Sequence, residues 1–185
     1  MSSLTSKRTA AVLIAMSTLL MGLVPADHGM AVVPLAEITI DRQTGLRMHR
    51  GKPFTGEGRA LYDDGVLARA EQFVAGRRDG SLRFWFADGR LGYVASFANG
   101  RREGPARSYW DNGSLRSETW FVDDQPHGVA QSWYASGEKF KRFQYVMGQP
   151  DGLQQGWRKN GKLFLNFEYR NGRTYGLRNS NMCIG

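Results

Sequence analysis

The chain has 185 residues, 41% hydrophobic and 23% charged, with a formal net charge of +8. That length holds one domain, and that balance excludes a disordered chain. The positive excess favours anionic partners without choosing among phosphate, acidic lipid and acidic glycan.

At the N-terminus, Lys7 and Arg8 precede an uncharged, mostly apolar run of 16 residues, Thr9 to Val24. Small residues then offer cleavage after Ala26 or after Ala31. A positive start, an apolar stretch and a small-residue exit describe a secretory signal peptide. We therefore assign residues 1–31 to a signal helix and expect a periplasmic or secreted protein. The run is shorter than the roughly 20 residues of a membrane span; left uncut, residues 9–24 would instead anchor the protein in the inner membrane. Residues 32–55 follow as a lead-in with a half-repeat, 56–176 as five repeats, and 177–185 as a C-terminal tail.

The repeats are set by glycine. Gly56, Gly80, Gly104, Gly128, Gly152 and Gly176 stand 24 residues apart, and Gly65, Gly89, Gly113, Gly137 and Gly161 keep the same step. An aromatic row, Phe73, Phe97, Phe121, Tyr145 and Tyr169, shares it. A fixed period of this length is the mark of an array whose units bury their apolar faces on their neighbours.

Within each unit a run of about five residues meets a turn (Asp63-Asp64-Gly65 in the first, Asp111-Asn112-Gly113 in the third), then a run of about eight. A second turn holds Gly76, Gly100, Asp124, Gly148 and Gly172. Asp, Asn or Ser before Gly between apolar runs predicts a hairpin, because these residues tolerate positive φ. The runs are too short for paired helices, and β-branched and aromatic residues fill them. The predicted fold is all-β: one elongated antiparallel meander sheet of about five tandem 24-residue β-hairpins. Strand spacing gives it a length on the order of 45–50 Å.

Two columns of large residues stand side by side. One is Leu61, Trp85, Tyr109, Trp133 and Trp157; the next place holds Tyr62, Phe86, Trp110, Tyr134 and Arg158. Neighbours on a strand point to opposite faces. By shared parity the first column, Leu67, Leu91, Leu115 and Leu163, and the Phe73 row are assigned together to the core face.

These residues resemble the MORN repeat, in the variant found in bacterial YwqK-type proteins: G-x-x-x-x-W-Y-x-x-G-x-L followed by aromatic-x-x-G-(K/R)-x-x-G. Gly104, Tyr109, Trp110, Gly113, Leu115, Phe121 and Gly128 carry the match in the third unit, and Gly51 to Gly56 looks like a leading half-unit. The resemblance covers about residues 45–176. The third unit departs with Asp124 for glycine, the fourth with Lys139 for leucine and its apolar residue shifted to Phe140, and the fifth with Arg158 for the second aromatic. The resemblance implies a non-catalytic scaffold that contacts proteins or acidic phospholipid; YwqK-type proteins are often labelled antitoxins of toxin–antitoxin pairs.

Candidate partner-binding residues fall in two columns. Arg59, Arg83 and Arg107, continued by Gln131 and Gln155, either grip phosphates and carboxylates with forked donors or lie over neighbouring rings. Tyr62, Phe86, Trp110 and Tyr134 form either an exposed stripe of interface anchors or a layer over the next hairpin. Arg77, Arg78, Arg101, Arg102 and Arg173 gather at the second turns, where they attract an acidic membrane surface or blunt the sheet edge.

We assign no catalytic residue, cofactor or metal. His49 and His127 are the only histidines after the signal, no nucleophile elbow or phosphate loop is present, and Met182-Cys183 is too small a set for a soft metal. The expected partner is a protein at the cell envelope, with acidic lipid or cell-wall glycan as the alternative and an antitoxin role as another. Nucleic acid is not expected.

Overall fold

The computed structural model describes residues 30–177. The signal assignment up to residue 29, the anchor at 9–24 and the Met182-Cys183 pair lie outside them. Among the described residues no helix is long and apolar enough to cross a membrane.

The chain opens with β1 (Val32–Pro34), a 3-10 turn (Leu35–Glu37), and three short strands, β2 (Thr39–Ile40), β3 (Arg47–His49) and β4 (Lys52–Pro53). The array follows: β5 (Gly56–Leu61), β6 (Leu67–Val74), β7 (Arg77–Trp85), β8 (Leu91–Ala98), β9 (Arg101–Tyr109), β10 (Leu115–Val122), β11 (Gln125–Trp133) and β12 (Lys139–Val146). β13 (Gln149–Pro150), β14 (Gly152–Trp157), β15 (Leu163–Arg170) and β16 (Arg173–Leu177) complete it. From β5 to β16 each strand pairs with its sequence neighbours in one sheet, β13 pairing with β12 alone. The expected meander is therefore present. It differs at its start, where β1 adds in parallel to β5, and β2, β3 and β4 form a separate three-stranded sheet.

The two turns differ, and the difference sets the faces. At the second turn, Ala75 and Gly76 take φ of 47° and 79° between the paired residues Val74 and Arg77. Such a two-residue loop with positive φ at both places matches the twist of the flanking strands. Asp123 and Asp124 hold the same geometry, φ 52° and 67°, so the missing glycine changes the chemistry of that turn but not its shape. At the first turn the pairing shifts by one place, so that Leu61 faces Leu67 while Ala60 faces Arg69. Ala68 is the extra residue, a β-bulge. The same shift recurs at Gly92, Arg116, Phe140 and Phe164.

These registers correct the face assignment. Gly56 pairs with Phe73, and alternation along β5 then sets Leu61 on the side away from Phe73. Leu61, Trp85, Tyr109, Trp133 and Trp157, with the leucines opposite them, occupy one face, here the Trp face. The Phe73 row occupies the other, the Phe face. Parity counted by residue number does not pass through a bulged turn. Phe140 is likewise not a displaced leucine. Lys139 keeps the leucine's place opposite Trp133, and Phe140 sits in the bulge.

The core lies along the middle of the Phe face. Glu71 pairs with Leu82, Leu82 with Ala95, and Ala95 with Ala106, and all four are buried. The lead-in covers the first hairpin: Leu35 and Ile38 pack where a Cβ on Gly58 would stand, and the Phe54 ring lies 5.9 Å from that of Phe73. Phe54 and Phe73 are both buried. The later units have no such cover among the described residues.

Candidate functional site

The arginine column is a straight row on the Trp face. Arg59 pairs across the sheet with Ala70, Ala70 with Arg83, Arg83 with Val94, Val94 with Arg107, and Arg107 with Glu118. Gln131, Arg142 and Gln155 extend it. Of the three predicted cations, two are matched by carboxylates: Arg59 Nε donates to Glu57 at 2.5 Å, and Arg107 Nη2 lies 2.6 Å from Glu118. Arg83 is exposed and forms no ion pair among the described residues. Among the described residues none of the three lies over a ring, the cation–ring contacts falling on other residues.

The second aromatic column lies on the Phe face, so the two candidate columns do not meet. Its residues reach one hairpin ahead. Tyr62 Oη donates to the Trp85 carbonyl at 2.6 Å, Trp110 Nε1 to the Trp133 carbonyl at 3.1 Å, and Tyr134 Oη to the Trp157 carbonyl at 2.9 Å. Phe86 has no polar atom to continue this ladder. The rings thus lean over the next hairpin while staying partly exposed.

Cations lie over several rings of the Phe face, two of them in this column. The Arg69 guanidinium lies 4.9 Å from the Phe84 ring centre, Arg78 5.6 Å from Phe97, and Arg102 4.1 Å from Phe121. Arg116 lies 4.6 Å from Trp110, Lys141 4.7 Å from Phe140, and Lys159 5.8 Å from Tyr134. Each such contact contributes on the order of 0.5–1 kcal/mol at an exposed site. The carboxylates near them belong to the first and third hairpins: Glu71 binds Arg69 and, at 2.6 Å, Arg78, and Asp124 accepts from Arg102 Nε at 3.1 Å. The backbone amide of Arg102, and then its side chain, hold the Asp124 carboxyl below its usual range. Arg116, Lys141 and Lys159 form no ion pair among the described residues.

The predicted turn arginines separate in the same way. Arg78 and Arg102 fold back over the Phe face, Arg101 pairs with Asp123, and Arg77 stays exposed.

One large residue escapes both columns. Trp120 is 52% exposed on the Trp face, beside Pro105 and opposite His127. The same place in the other units holds Gln72, Ser96, Gln144 and Glu168. That break in an otherwise polar column was the available signal.

An open sheet of tandem hairpins with aromatic and basic rows along its faces defines a repeat-built β protein. Residues 102–123 match the MORN repeat variant, and residues 121–139 match the MORN repeat. No curated protein matches the chain. The two matches support a MORN-repeat protein. MORN repeats occur in protein-binding and lipid-binding scaffolds, and the family is generally non-enzymatic.

Proposed function

We propose that this chain is an exported, non-catalytic MORN-variant protein of the YwqK type that docks a partner protein at the cell envelope through its Phe face. The observation that carries this reading is the run of half-exposed rings with unpaired cations over them, Arg116 on Trp110, Lys141 on Phe140 and Lys159 on Tyr134. Rigid aromatic surface joined to basic side chains is what interface anchors are made of, and nothing described covers it. An acidic lipid or cell-wall glycan is the second reading, favoured by the same excess of charge; the antitoxin role is the third.

Capture from the native envelope tests it. The mature protein should recover one partner in near-equal amount. Changing Arg116, Lys141 and Lys159 together to Gln should abolish that recovery, while changing Arg59, Arg83 and Arg107 together to Gln should leave it. Recovery unaffected by the first set would remove the Phe face. Binding to acidic vesicles that vanishes at high salt, with no protein captured, would favour lipid. Retention of the intact chain in the cytoplasm would restore the antitoxin reading.

A further inference from the structure

The bulge positions divide the array. Ala68 and Gly92 fill this place in the first two units, Arg116 in the third, and Phe140 and Phe164 in the last two. In the fourth unit the Phe140 ring packs 4.9 Å from Tyr134 and stacks at 6.4 Å on Phe164. Phe164 in turn fills the space where a Cβ on Gly156 would stand, 2.9 Å away. The equivalent space in the first units is open. It is a groove of about 640 Å3 between Tyr62, Phe84, Phe86 and Tyr93, bordered by Arg69 and Arg116. A Cβ on Gly92 would come within 3.2 Å of the Phe86 ring, which places Gly92 against that wall.

Charge and hydrogen bonding narrow the guest. Arg116 is exposed, lies over Trp110 and has no carboxylate partner among the described residues. Glu71, the nearby acid, is held by Arg69 and Arg78. Arg69 Nε is buried without an acceptor. The Tyr62 hydroxyl already donates to Trp85, and Ser108 is bonded to Ser117 at 2.6 Å. A mainly aromatic wall, with the Tyr62 and Ser108 hydroxyls engaged, suits a hydrocarbon ring such as the one Phe140 supplies in the fourth unit, and the free cation suits a carboxylate beside that ring.

We infer that this groove receives one bulky apolar side chain from an acidic segment of the partner protein, the guest ring taking the place that Phe140 fills in the fourth unit and a flanking carboxylate resting on Arg116. This rests on the Phe face being the docking face. The later units carry their own phenylalanines here, Phe140 and Phe164, whereas the first two carry Ala68 and Gly92 and leave room for a ring from outside.

The probe is the peptide acetyl-Asp-Phe-Asp-amide, titrated into the 15N-labelled mature protein. Saturable shifts should appear at the amides of Arg69, Gly92 and Arg116. Gly92→Phe should weaken binding at least tenfold and leave amides outside the first three units in place, phenylalanine standing at the equivalent places of the last two units, Phe140 and Phe164. Arg116→Gln, or Asn for Asp in the probe, should weaken it several-fold and remove its salt dependence. Should Gly92→Phe fail to fold, Arg116→Gln and the Asn probe decide alone. Shifts scattered over the sheet, equal binding of the Asn probe, or stronger shifts at the same amides from a uronic-acid disaccharide would overturn the inference. Partner capture that survives Gly92→Phe would leave the docking face standing and remove the groove.

Discussion

Tyr62 and Trp85 are joined by a hydrogen bond of 2.6 Å from the phenol to the backbone carbonyl, which ties the first hairpin to the second. Trp110 and Tyr134 repeat the link, and Phe86 omits it. A neutral hydrogen bond of this kind contributes about 0.5–1.5 kcal/mol. Tyr62→Phe should therefore lower stability by about 0.5–1 kcal/mol. Phe86→Tyr should raise it by a similar amount by reaching the Tyr109 carbonyl. Urea unfolding of the two variants with unchanged slope checks both signs; a Phe86→Tyr variant weaker than the parent would show that its phenol finds no acceptor.

Glu71 is 2% exposed and lies between Arg69 and Arg78. Removing one member of a buried charge cluster leaves the others uncompensated, at about 3–5 kcal/mol. Both arginines keep access to water, so Glu71→Ala should cost about 3 kcal/mol. Glu118→Ala breaks an exposed pair with Arg107 and should cost no more than about 1 kcal/mol. Equal costs for the two would mean that position in the sheet does not matter to these ion pairs.

Asp124 replaces a turn glycine and accepts from the Arg102 amide at 3.0 Å. Its carboxyl is held below the ordinary carboxylate range, first by that backbone bond and then by the Arg102 side chain. A depressed carboxylate stabilises the fold above its unfolded pKa and loses that contribution as pH falls through the folded one. The site is open to water, so the effect is at most about 1 kcal/mol. Asn tolerates the same backbone and lacks the charge. The stability gap between the parent and Asp124→Asn should thus be widest at neutral pH and close below about pH 4. A gap independent of pH would assign the effect to hydrogen-bond shape alone.

The Ala31 carbonyl accepts from the Glu57 amide at 2.8 Å. Cleavage after Ala26 keeps that bond, and cleavage after Ala31 removes the carbonyl along with it. If the chain is exported and processed, its mature form should begin at Asp27. N-terminal sequencing of the secreted or periplasmic product reads this directly. A start at Val32 should be less stable by about 1 kcal/mol than a start at Asp27.

Turns were legible because they are local. Asp63-Asp64-Gly65 and Ala75-Gly76 carry their backbone angles in their own residues, and the strands between them follow. Faces were not legible, because they depend on register. A two-residue loop and a bulged loop alternate here, and only the pairing of Gly56 with Phe73 reveals that Leu61 points away from Phe73. The arginine row was visible from its 24-residue step, but its neutralisation was not: Glu118 belongs to a different strand from Arg107 and reaches it only through the sheet. The groove had left its mark in the aligned repeats, where Ala68 and Gly92 stand against Phe140 and Phe164. That contrast had no meaning until the bulge set all of them on the Phe face.

Each strand from β5 onward is bonded only to the strands beside it. A tension applied to the two ends of the array would therefore be borne by one strand pair at a time. The hairpins would peel away in succession, at low force and with a regular sawtooth. A sheet joined in this way yields to load by lengthening gradually rather than by failing at once.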